Sequence, residues 1–106
     1  MSSPSPDQQI MTVVSAVVAP DREAELSSGF RIMTETMVPD GLIRSELLRG
    51  QHGTWRIESL WRDWNALQKV RASGQRPAAI ELFERVGAEH SHDFYFVEGA
   101  YRAVTT

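Results

Sequence analysis

Between Ile10 and Ala19 the chain reads IMTVVSAVVA, a β-branched run that is apolar on both alternating faces, as in a strand covered from two sides. It predicts a central first strand. Pro20, Asp21 and Glu23 then supply a helix start: proline tolerates the lost amide donor there, and acidic groups meet the positive end of the helix dipole. Leu26, Phe30, Met33 and Met37 recur at spacings of four, three and four, an apolar stripe opposite Glu25, Ser28, Arg31 and Glu35. Pro39 disfavours a helical residue before it and Asp40-Gly41 is turn chemistry, so the helix is expected to stop before Val38.

Residues 42–49 and 54–62 read as two antiparallel strands joined by the glycine-flanked loop Gly50-Gln51-His52-Gly53. Asp63 is a good N-cap for a helix carrying Trp64, Leu67 and Val70, which Ser73-Gly74 ends. Pro77 opens a further helical stretch with Ala79, Leu82, Phe83 and Val86 on one side, closed by Gly87. Residues 93–104, DFYFVEGAYRAV, are aromatic and β-branched enough for a last strand. The order is βαββαβ, which predicts an α+β, ferredoxin-like fold with a four-stranded antiparallel sheet and its helices on one face. Residues 1–9, rich in Ser, Pro and Gln, are expected to form a flexible tail, and residues 10–106 a single domain.

A chain of 106 residues has room for one modest core, and 42% apolar with 24% charged residues is an ordinary globular composition. A net charge of −3 gives no broad positive field, which argues against nucleic acid as the main partner. With no cysteine, disulfides, thiolate metal sites and cysteine nucleophiles are excluded. No apolar run approaches the ~20 residues that span a bilayer. The N-terminus also lacks a basic start and an apolar signal core, so a cytoplasmic protein without a membrane partner is expected.

Strand faces point to self-association. Trp55, Ile57, Ser59 and Trp61 share one side of the third strand, while Arg56, Glu58, Leu60 and Arg62 share the other. In the last strand Phe94, Phe96 and Glu98 oppose Tyr95, Val97 and Gly99. Such mixed faces, with arginines and aromatics together, fit a homodimer through the sheet faces. The plainer alternative is isolated exposed apolar residues, which any surface carries.

No phosphate loop, metalloprotease helix or nucleophile elbow is present, and Ser15 and Ser59 lack an obvious histidine base. What the sequence offers is a concentration of rings: Trp55, Trp61 and Trp64, with Phe83, Phe94, Tyr95, Phe96 and Tyr101. They either fill the core between helices and sheet or wall a pocket for a flat ligand. Trp61, at a strand end where a helix begins, presents both a surface and an indole donor. His90 and His92 have the spacing of two metal ligands on one strand side, but without a third ligand they read first as polar loop residues. His52 lies in a turn. Arg44 and Glu46 are expected to pair with Arg56 or Glu58 across the hairpin.

Residues 11–101 resemble the antibiotic biosynthesis monooxygenase family. The carriers are TVVSAVVAPDREAEL, the VPDG turn, TWRIESLWRDWNAL and HDFYFVEG, and above all Trp61 followed by Arg62-Asp63 and Ala66-Leu67. The resemblance implies a dimeric α+β barrel of ferredoxin-like subunits. It implies oxygenation of a small aromatic, quinol-like or polyketide-type compound by dioxygen, with no flavin, haem or metal as cofactor. Trp61 is then the catalytic candidate and pocket wall, with Trp64, Arg44 and Tyr95 as further substrate-lining residues. The chain departs from the anthrone-oxidising pattern, which has an asparagine four residues before the tryptophan and a tyrosine six after it; here stand Ile57 and Leu67. Haem degradation is disfavoured, because residues 77–87 hold no histidine and the first strand no asparagine. A non-catalytic dimeric binding module of the same fold is the alternative.

Overall fold

The computed structural model describes residues 7–36 and 38–103. Ile10–Val17 (β1), Leu42–Arg49 (β2), Thr54–Trp61 (β3) and His90–Phe96 (β4) form one antiparallel sheet in the order β2-β3-β1-β4. A single 3-10 turn at Pro20–Arg22 leads into Glu23–Thr36 (α1); Trp64–Ala72 (α2) and Ala78–Arg85 (α3) fill the second crossover. This is the expected α+β ferredoxin-like arrangement. The expected tail over residues 1–6, Met37 in the apolar stripe and Val104 at the end of the last strand lie outside the described residues.

Local chemistry sets several boundaries. Asp63 accepts the Ala66 amide proton at 2.8 Å and so caps α2, satisfying a donor with no partner inside the helix. At the β2–β3 loop His52 and Gly53 both adopt positive φ, which lets the chain reverse within the glycine-flanked turn. β4 differs from expectation at both ends, spanning His90–Phe96 instead of 93–104. Its polar start pairs with β1, Ala16 opposite His90 and Val14 opposite His92. Its far end stops where β1 begins: the Val97 amide donates to Gln9 O at 2.9 Å, and Gln8 Nε2 donates to Val97 O at 3.1 Å.

The register sorts side chains into rows. On the helix-covered face, Leu42, Trp61, Ile10 and Phe96 form one row, and Leu47, Ile57, Val14 and His92 another. Between them runs a row of Ser45, Ser59, Thr12 and Phe94. On the outer face Arg44, Leu60, Met11 and Tyr95 line up, with Glu46, Glu58, Val13 and Asp93 beside them. Because Glu46 and Glu58 stand opposite each other, each takes an arginine from its own strand, Arg44 and Arg56 respectively, instead of one across the hairpin. These pairs are exposed and contribute little to stability.

The apolar core comes in two pieces. The larger joins Val14, Ala16, Trp55 and Ile57 to Leu26 of α1 and to Leu82, Phe83 and Val86 around α3. Trp55 donates its indole proton to Glu23 Oε2 at 2.9 Å, which ties the start of α1 to the sheet. The smaller piece joins Ile10 and Trp61 to Ala66 and Leu67 of α2. The α1–β2 turn fixes this second piece. Gly41 has φ +90°, a Cβ there would lie 2.3 Å from that of Ala66, and its carbonyl accepts the Arg62 amide at 2.8 Å.

Gly41→Ala is therefore expected to destabilise the fold well beyond Gly74→Ala. Gly74 also has positive φ but open space around it, so its substitution carries only the conformational cost of about 1 kcal/mol. Urea unfolding of both variants checks this; equal losses would contradict the close approach of Gly41 to α2.

Candidate functional site

A cavity of about 120 Å³ separates the two core pieces. Its floor is the hydroxyl row of Thr12, Ser59 and Ser45, with Val14 and Leu42 on either side. Met33 of α1, Leu67, Val70 and Arg71 of α2, and residues 77–80 at the start of α3 roof it. Pro39, Val70 and Ala78 also line a shallower surface groove, so the cavity opens outward between the α1–β2 turn and the α2–α3 loop. His92 and Asp93 complete the lining from β4, an edge strand most of whose residues are exposed.

The polar atoms of the floor satisfy one another. Trp61 is 7% exposed, and its Nε1–H donates to Thr12 Oγ1 at 3.0 Å. The Thr12 hydroxyl donates in turn to Ser59 O at 3.4 Å, and the Ser45 and Ser59 hydroxyls are 2.9 Å apart. Trp61 thus forms one wall with its indole proton already engaged, and Thr12 carries that proton's influence to the cavity floor. The arrangement can hold a flat apolar ring against carbon walls while presenting hydroxyls to an oxygen substituent.

The residues singled out from sequence fall in different places. Trp61 lines the cavity. Trp64 stands beside it, its ring 5.5 Å from Phe94 and 6.0 Å from Phe96, an aromatic trio at the sheet edge. Arg44 and Tyr95 project from the outer face and do not line it. For Arg44 the reason is the register shift between Leu42 and Arg44: the extra residue, Ile43, reverses the phase of β2, turning Arg44 outward and Ser45 inward. Tyr95 has the opposite phase to Phe94 and Phe96. His90 and His92 share the inward side as their spacing indicated, but among the described residues no group of three or more His, Cys, Asp or Glu is placed to hold a metal ion. No helix among the described residues is long and apolar enough to cross a membrane. Ile57 and Leu67, where the family pattern has an amide and a phenol, are buried carbon.

Sequence reasoning did not single out Thr12, Ser45 or Arg71 for the site. The available signal was three hydroxyl residues, each in the apolar phase of its strand, but only the pairing register puts them side by side.

Fold and site define a class: a ferredoxin-like α+β domain with a ring-sized cavity between helices and sheet. No protein-family profile matches the sequence, and no curated protein matches it either. Solved structures do match. SnoaB, a cofactor-independent oxygenase from Streptomyces nogalater, superposes with a TM-score of 0.61 at 21% identity, over 93% of this chain and 99% of that one. A candidate antibiotic biosynthesis monooxygenase from Deinococcus radiodurans gives 0.67 at 16% identity, over 91% and 99%. A protein of unknown function from Nitrosomonas europaea gives 0.69 at 14% identity, over 95% and 100%. Likeness at this level of identity establishes a shared fold.

Thr12→Val, close in shape but without the hydroxyl, is expected to strand the indole proton of Trp61. That should lower stability by about 1–3 kcal/mol. In a double-mutant cycle with Trp61→Phe the two losses should be strongly less than additive. Additive losses in urea unfolding would show that the Trp61–Thr12 bond is not made.

Proposed function

We propose that this protein is a cofactor-independent monooxygenase that oxidises a small aromatic or quinol-like compound with dioxygen. The observation that carries the proposal is the cavity walled by Trp61 and floored by the Thr12, Ser59 and Ser45 hydroxyls, in a fold shared with an oxygenase that works without a cofactor. The ring lies against Trp61, with a neutral oxygen substituent towards the hydroxyl row and its ionisable oxygen at the open side of the cavity. Ionisation of the oxygen at the open side, its proton passing to water, makes the ring electron-rich enough to pass an electron to dioxygen. The two radicals combine to a peroxide that takes up a proton. At a ring carbon that carries two hydrogens in its keto form, loss of water from that peroxide leaves a carbonyl: one oxygen atom enters the product and the other leaves as water. The protein's part is to position the ring and stabilise the anion.

In this reading Trp61 holds the ring and donates towards the floor through Thr12, and Trp64 buttresses the β4 side. Arg44 and Tyr95, in one outer row with Leu60 and Met11, belong to the contact with a second copy, so the working unit is a homodimer joined through the sheet faces. A second reading rests on Ile57 and Leu67, whose buried carbon leaves the site without an amide and a phenol: a dimeric module that binds the same compounds without converting them.

Oxygen consumption by the colourless protein across a panel of phenols and quinols separates the two. The oxygenase reading predicts uptake, with kcat/KM lowered at least about tenfold by Trp61→Phe, equivalent to roughly 1.4 kcal/mol of transition-state stabilisation. Tight ring binding with no uptake on any compound would leave the binding module.

A further inference from the structure

We infer that Arg71 is the anion-recognition residue of this cavity, and that the compound taken is a single aromatic ring carrying an ionised oxygen substituent, a carboxylate or a phenolate. The inference rests on the cavity being the ligand site of the proposed oxygenase, but not on turnover. Arg71 lies in the last turn of α2 and lines the cavity, and its guanidinium sits 5.5 Å from the centroid of the Phe94 ring. A guanidinium held over an aromatic face keeps its position while its edge N–H groups remain available to a planar oxyanion.

Arg44, Arg56, Arg62 and Arg76, among others, each hold a carboxylate within 4.0 Å, whereas Arg71 has none among the described residues. Asp93 contributes to the same lining, but its position belongs to the outer row with Val13 and Glu58, and it makes no ion pair with Arg71 within 4.0 Å. Arg71 is thus an exposed positive charge, without a carboxylate within 4.0 Å among the described residues, at the mouth of an apolar hollow.

Size and solvation decide the rest. An apolar cavity of about 150 Å³ is enough for benzene, so a hollow of about 120 Å³ with one open side encloses no more than a single ring. Its floor offers hydroxyls and no formal charge, and burying an ionised group there without a charged partner is costly. A charged substituent must therefore stay at the edge, where Arg71 stands, while the ring enters towards Trp61.

Equilibrium binding without oxygen tests this, read by tryptophan fluorescence and calorimetry. Gentisate should bind at least about tenfold tighter than its neutral methyl ester. Arg71→Met should reduce that ratio to about twofold or less, and Arg71→Lys should leave an intermediate preference. The phenolate arm uses para-nitrophenol below its ionisation pH: if the anion recognised is a phenolate, the wild type develops the yellow phenolate band and Arg71→Met does not. A preference in either arm that depends on Arg71 supports the inference and identifies which oxyanion is read. Equal binding of charged and neutral rings, a preference that survives Arg71→Met, or no ring bound at all would overturn it. Absence of oxygen uptake with the Arg71-dependent preference intact would remove the oxygenase reading alone.

Discussion

Three hydroxyls cross the helix-facing side of the sheet at a level where methyl groups would let the core close. With Ser45, Ser59 and Thr12 in register, the apolar rows above and below pack against different helices, and the space between them stays open. Interiors pack to near-crystalline density, so a hollow at this place needs a local cause. The hydroxyl row supplies one, because Ser45, Ser59 and Thr12 give the helices little apolar surface to bury at that level.

The row is tolerated because its members satisfy one another. Trp61 donates to Thr12, Thr12 to the Ser59 carbonyl, and one of the Ser45 and Ser59 hydroxyls donates to the other. A buried polar group left without a partner costs about 1–3 kcal/mol, so losing one member disturbs the rest. The same network aims polar atoms at whatever occupies the cavity, which links the way the fold is held together to what the site can recognise.

Legibility from sequence followed the range of the interactions. The α2 start at Asp63 and the strands on either side of the His52 turn depend on a few adjacent residues, and they stand where local chemistry puts them. The first half of β4 does not: His90-Ser91-His92 is polar, and only pairing with β1 makes it a strand. The site divides in the same way. Trp61 was visible as a ring at a strand end, whereas the phases of Arg44 and Ser45 hinge on one extra residue at Ile43. Arg71 depends on how the last turn of α2 meets β4, which no periodicity reveals.

The most direct test of the account is a crystal structure of the protein soaked anaerobically with hydroquinone. Ring density is expected against Trp61, between the two core pieces, with an oxygen within hydrogen-bonding distance of the Thr12 or Ser59 hydroxyl. A cavity closed by side chains, or a ring found only on the outer face of the sheet, would contradict it.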